Sequence, residues 1–257
     1  MKGNYGVKAD RVLVLIVLLA AVMLQGCSKM GKEEVIDEVE LTDTVRWFNT
    51  SYALLTEMNK WDYNFFGGAE NTEENQKQAQ KMLDRYWGVT DRESADQTLD
   101  WVLKEGQRGN FVNIMQTLEQ DGVGALDPEE RPDFLTEQYS MDEKSSQLYA
   151  QWYGMYEEYG EGAIDGWDSC RAMSLPGYYY LAGYYTKEEA LDKSLEIAAM
   201  VQSEYGSWDE LMDSYLRGYE FWAEESSDKR REVYEKLKKK SKGPYKVEFA
   251  MELEKTW

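Results

Sequence analysis

The chain contains no histidine. That absence removes His-dependent triads, His-liganded zinc and imidazole acid–base chemistry from the functions open to it. Proline is nearly missing too, at four residues, which favours long helices over a turn-rich β architecture. Positive charge is in short supply: 29 basic side chains face 49 acidic ones, a net charge of −20. Phosphate backbones require clustered Lys and Arg, so no nucleic-acid partner is expected. The sequence has no phosphate-binding loop, dinucleotide fingerprint, EF-hand loop or Cys/His metal spacing, so neither a cofactor nor a metal is expected. With two cysteines and, as argued below, one of them committed elsewhere, no intrachain disulfide is expected.

What is present begins with an N-terminal address. Lys2, Lys8 and Arg11 precede an apolar run from Val12 to Leu24, too short for a comfortable transmembrane helix, and the run ends in Leu24-Gln25-Gly26-Cys27. This ending resembles the lipobox of bacterial lipoproteins. The resemblance implies a signal helix and peptide over 1–26 that is cleaved before Cys27, acyl chains (palmitate among them) on the Cys27 sulfur, and a protein anchored at the extracytoplasmic face of the cell membrane. Residues 27–41 are charged and lack large aromatics, so they read as the lipidated cysteine and a tether. Residues 42–257 read as one helical domain. Cys170 is then left alone inside a helical pattern, where a small buried core residue is expected.

The domain reads as all-α and compact, with about eight to nine helices in two packed lobes. Thr90-x-x-Glu93, Ser140-x-x-Glu143, Thr186-x-x-Glu189 and Ser207-x-x-Glu210 have the form of capping boxes. Apolar residues at i, i+3, i+4, i+7 follow three of them, and further helices are expected over 44–60, 73–87, 108–120, 141–158, 166–182 and 228–241. The segment 122–132, GVGALDPEERP, is the clearest loop. Val247, Phe249, Met251 and Leu253 alternate, which predicts a short C-terminal strand.

Several motifs resemble domain-of-unknown-function family 1266. They are Trp87-Gly88-Val89, Gly106-x-Arg108 and Gly166-Trp167-Asp168-x-x-Arg171, then Ser207-Trp208-x-Glu210 and Gly243-Pro244-Tyr245. The likeness runs from about Arg46 to Phe249. Gln107 stands where the family pattern often has His. The family has no established activity, so the resemblance implies a fold and no mechanism.

Four constellations merit a functional reading. Trp167, Asp168 and Arg171 form a candidate polar pocket; Asp168 and Arg171, at i, i+3, are neighbours on one helix face. The favoured reading is a buried pair that sets how the helix docks. Tyr178, Tyr179, Tyr180 and Tyr184 form the candidate contact patch for an envelope protein or glycan, because adjacent tyrosines on one helix are not all expected to face inward. Glu188, Glu189, Asp209 and Glu210 are expected to cap helices rather than to pair as hydrolytic acids. The basic stretch from Lys229 to Lys246 is expected to be a solvated helix and its dipole complement. No catalytic set is identified. The function expected is a membrane-anchored binding module in the cell envelope; an acid-residue-dependent hydrolase of envelope glycans is the alternative.

Overall fold

The computed structural model describes residues 34–257. The expected signal helix and lipobox, with Leu24, Gly26 and Cys27, lie outside the described residues. The α-helices are α1 (Asp43–Ser51), α2 (Ala53–Met58), α3 (Glu73–Trp87), α4 (Arg92–Lys104), α5 (Gly106–Gln120), α6 (Arg131–Tyr139), α7 (Glu143–Tyr159), α8 (Asp165–Ala182), α9 (Lys187–Glu204), α10 (Trp208–Ala223) and α11 (Asp228–Lys239). The all-α reading holds, with more helices than expected. The stretch read as one helix over 44–60 breaks at Tyr52, and α6 occupies a segment that carried no helix signal. None of the described helices is long and apolar enough to cross a membrane.

α8 is the axis of the fold. All of its residues are buried except Asp165 and Arg171, which are partly exposed. A helix apolar on all sides is buried on all sides. α10 crosses it at very short range: a Cβ on Gly166 would sit 2.6 Å from the Leu211 carbonyl oxygen, and one on Gly218 would sit 2.3 Å from Trp167 Cβ. Close packing of this pair therefore requires glycine at both crossing points.

Two hydrophobic clusters correspond to the two expected lobes. The larger is built from α1–α4 and α8–α10, with Trp47, Tyr179 and Tyr215 wholly interior. The smaller is built from α5, α6 and α7, and Phe221 of α10 inserts into it against Phe111 and Trp152, at ring-centroid distances of 5.3 and 4.9 Å. Arg131 opens α6 and is buried. It forks onto Glu157 of α7 at 2.7 and 2.8 Å and lies over the Tyr153 ring. Cys170 is free and buried in the larger cluster, and burial pushes its thiol pKa up.

Several local expectations are corrected. α4 is capped by Asp91, not Thr90: its carboxylate accepts from Ser94 N at 2.8 Å while Ser94 Oγ accepts from Asp91 N at 3.1 Å. α7 is capped by Asp142, and Ser140 instead ends α6 in a left-handed conformation. The Thr186–Glu189 box is present. At α10 the Ser207 hydroxyl accepts from Glu210 N, while the Glu210 carboxylate accepts from Gly206 N.

The C-terminal residues form no strand. Phe249 is still buried, and Val247, Met251 and Leu253 pack on the core, but side chains rather than a partner strand take their carbonyls. Trp47 Nε1 and Gln202 Nε2 donate to the Phe249 carbonyl at 2.8 and 2.7 Å, and Trp208 Nε1 donates to that of Val247 at 2.7 Å.

The segment read as tether is docked from Ile36 onward. Ile36 N donates to the Asn71 carbonyl at 2.8 Å, Tyr180 OH donates to the Asp37 carbonyl at 2.9 Å, and Lys187 pairs with Asp37 at 2.6 Å. Val39 and Leu41 pack on the core.

Candidate functional site

Asp168 and Arg171 meet as their spacing requires, Arg171 Nη1 lying 3.3 Å from Asp168 Oδ1. The other Asp168 oxygen accepts from the backbone N–H of Arg108 at 2.9 Å, and Arg108 Nε stands 3.7 Å away. Asp168 is 0% exposed. α5 has no capping side chain of its own, so this carboxylate from another helix satisfies its N-terminus and complements its dipole.

Gly106 makes that arrangement possible. Its φ is +55°, and a Cβ there would lie 2.3 Å from Asp168 Oδ2. Only glycine supplies both the backbone conformation and the space. Arg108 also donates from Nη2 to the Val102 carbonyl at 2.8 Å, which closes the end of α4. The Arg171 guanidinium sits over the Trp87 and Trp167 rings at 4.5 and 5.3 Å. Thus Asp168 and its two arginines join α3, α4, α5 and α8.

Burial raises the Asp168 pKa against the opposing pull of the α5 amides and both arginines. Neighbouring Asp165 is raised by burial as well, opposed by Arg108 and reinforced by Asp168. The Arg171 pKa is lowered by burial, with Asp168 acting the other way. A general acid must reach the atom it protonates. The Asp168 oxygens are closed off from water and engaged by protein donors, so this group holds the fold together.

Trp167 lies at the α8–α10 crossing and stacks on Tyr215, Tyr219 and Trp222 at 5.0–5.8 Å. Trp222 is 43% exposed and covers Trp167.

The tyrosine patch is not on the surface. Tyr178, Tyr179 and Tyr180 are all buried, Tyr179 at 0% exposure, and Tyr184 is half-buried. The expectation assumed that a helix has a wet side, whereas α8 is enclosed by α3, α4, α9, α10 and the turn at Phe66–Gly68. Tyr178 packs on Tyr52 and Trp61, Tyr179 on Tyr185, and Tyr180 on Phe66.

Glu189 and Glu210 cap helices. Asp209 binds Tyr234 and Lys238, and Glu188 stands 3.5 Å from Lys255. No group of three or more carboxylates or thiols among the described residues stands close enough to hold a metal ion.

An open groove of about 560 Å³ lies between α4 and α9. Leu99, Leu103, Ile197 and Met200 give it an apolar lining, and Met200 is 45% exposed. Its rim is charged: Arg92 pairs with Asp96 and Glu189 at 3.1 Å each, and Lys193 with Glu196 at 2.9 Å. Tyr185 OH donates to Asp96 at 2.5 Å, and Arg92 lies 4.6 Å over the Tyr185 ring. Reading the sequence missed this groove because its walls are some 90 positions apart in the chain. The available signal was the apolar pair Leu99 and Leu103 flanked by Asp96 and Asp100 on one helix.

These features define an all-α domain wound around a buried helix and tied together by an interior carboxylate. The chain belongs to the family described as Protein of unknown function (DUF1266), whose model matches residues 82–249. The match includes Asp168, Arg171, Arg108 and both walls of the groove, and excludes α1 and α2. No curated protein and no solved structure matches the chain.

Proposed function

We propose that this protein is a lipid-anchored binding module of the bacterial cell envelope, and that its partner docks in the α4–α9 groove. The groove carries the reading: an apolar lining, an exposed methionine and a charged rim are the anatomy of a recognition surface. The address rests on the Leu24-Gln25-Gly26-Cys27 ending of the signal. The partner that fits is a basic segment with apolar anchors. Its anchors replace water over Leu103, Ile197 and Met200, and its charge is drawn to a chain of net charge −20.

The test is in-cell photo-crosslinking from position 200, compared with a crosslinker at Tyr86 on α3. Capture of a basic envelope protein from position 200, absent at 86 and lost when Leu103→Asp is added, is the expected result. Equal capture from both positions, or capture indifferent to Leu103→Asp, rejects the groove. The address is read separately from the intact mass of the purified protein, which should show cleavage before Cys27 and added acyl chains.

A further inference from the structure

In a chain of net charge −20, residues 229–246 carry nine basic and two acidic side chains. Part of that charge is neutralised where it lies. Arg231 pairs with Asp213, Lys236 with Glu232, Lys238 with Asp209 and Glu235, and Lys240 with Glu57. Lys229, Lys239, Lys242 and Lys246 are exposed and have no ion-pair partner among the described residues. Dipole complementation accounts for the last turn of α11. It does not account for Lys242 and Lys246, which lie beyond the helix end at Lys239.

The place of this patch in the fold suggests its occupant. Lys240 Nζ lies 3.4 Å from Tyr63 OH. The next two residues, Asn64 and Phe65, border the docked N-terminal segment Glu38–Leu41 across a cavity of about 540 Å³. Consecutive Cα atoms are only about 3.8 Å apart, so one short loop carries both the basic end of α11 and the segment through which the chain enters the domain. Cys27 is seven residues before Glu34, a stretch that spans at most about 25 Å.

We infer that Lys239, Lys242 and Lys246, at the end of α11 and just beyond it, form a docking surface for anionic phospholipid headgroups. The surface seats the domain on the bilayer beside its own entry segment. The membrane address rests on the anchor reading above; the charge pattern does not. Acidic faces elsewhere on the molecule do not oppose such docking strongly, since charges more than about 8 Å apart are screened at physiological salt. The acyl chains hold the chain at the bilayer without setting how the domain lies on it, and a basic patch attracts the anionic surface and so sets that orientation. Each lysine at an anionic surface is worth about a fivefold factor in partitioning.

The test uses the purified full chain in vesicles of phosphatidylcholine alone or with phosphatidylglycerol, reading lysine acetylation by mass spectrometry. Lys239, Lys242 and Lys246 should be protected only when phosphatidylglycerol is present, and salt should abolish the protection; Lys104 on α4 should be indifferent. If the intact mass shows no acyl chain, the anchor reading fails by itself, and flotation of added protein with the same vesicles then reads the patch. In that assay a Lys239→Gln, Lys242→Gln, Lys246→Gln variant should lower partitioning more than about tenfold. The matching Lys→Arg variant should restore it, while circular dichroism shows both folded. Equal acetylation in the two vesicle types, or unchanged partitioning of the Gln variant, overturns the inference. Protection by soluble polyphosphate equal to that by phosphatidylglycerol also overturns it, in favour of a general polyanion site.

Discussion

Asp168 shows how a carboxylate without water is kept in place. Its burial is offset by an amide at the start of α5 and by two guanidiniums, one of them held over two indoles. Asp168→Ala leaves both arginines without their interior counter-charge and α5 without its cap. It should destabilise the protein by about 3–5 kcal/mol in urea titration. Asp168→Asn, which keeps an acceptor for the Arg108 amide, should cost less. A loss under about 1 kcal/mol for the alanine variant would remove this residue from its structural role. Asp165 gives the pH test. Its folded pKa is raised by burial above the ordinary 3.8, so the folded state binds more protons than the unfolded state from that value upward. Stability from this group is fully present below 3.8 and is lost as pH rises through the raised pKa. Wild type should therefore lose stability relative to Asp165→Asn as pH is raised from the carboxylate range towards neutrality. Wild-type stability that, relative to Asp165→Asn, stays flat or rises with pH would contradict the raised pKa.

Among the elements, the contrast between Asp91 and Thr90 separates what a sequence pattern specifies from what it leaves open. Two residues in succession had suitable oxygens, and each had a polar side chain three positions on, so the pattern placed a helix start correctly and its cap one residue early. Asp91→Ala should cost about 1 kcal/mol and Thr90→Ala less than about 0.5 kcal/mol in paired denaturation curves. Equal costs would return the cap to Thr90. The same logic explains the rest of the fold. α9 and α10 were legible because their apolar residues keep helical phase over about three to four turns. α6 was not, because its nine residues begin with Arg131-Pro132 and bury only Arg131 and Leu135. Of the candidate site, the Asp168–Arg171 pair was legible from i, i+3 spacing. The role of Arg108, 60 positions away, and the groove between α4 and α9 were not, since both depend on how helices are placed. The tyrosines were misplaced for the same reason: periodicity tells which residues share a side of α8, not how many helices cover it.

For the whole molecule, the question is whether the two lobes melt together. The smaller cluster draws on α5, α6 and α7, and Phe221 of α10 is its link to the helix that packs most closely on α8. The Phe221 ring meets Phe111 edge-on and packs against Trp152. The Asp168–Arg108 contact is a second tie, since it holds the start of α5 to α8. Phe221→Ala removes a large buried side chain and should cost about 3–5 kcal/mol. Its effect should be more than a lower midpoint. With this tie gone, the smaller lobe should open before the larger, splitting a single transition into two. Hydrogen exchange in that variant should show α5, α6 and α7 losing protection while α8, α9 and α10 keep it. Uniform loss across all six helices, with one sharp transition, would mean that the lobes form a single cooperative unit coupled by the contacts that remain, the Asp168–Arg108 contact and the Ala163–Ile164 turn among them.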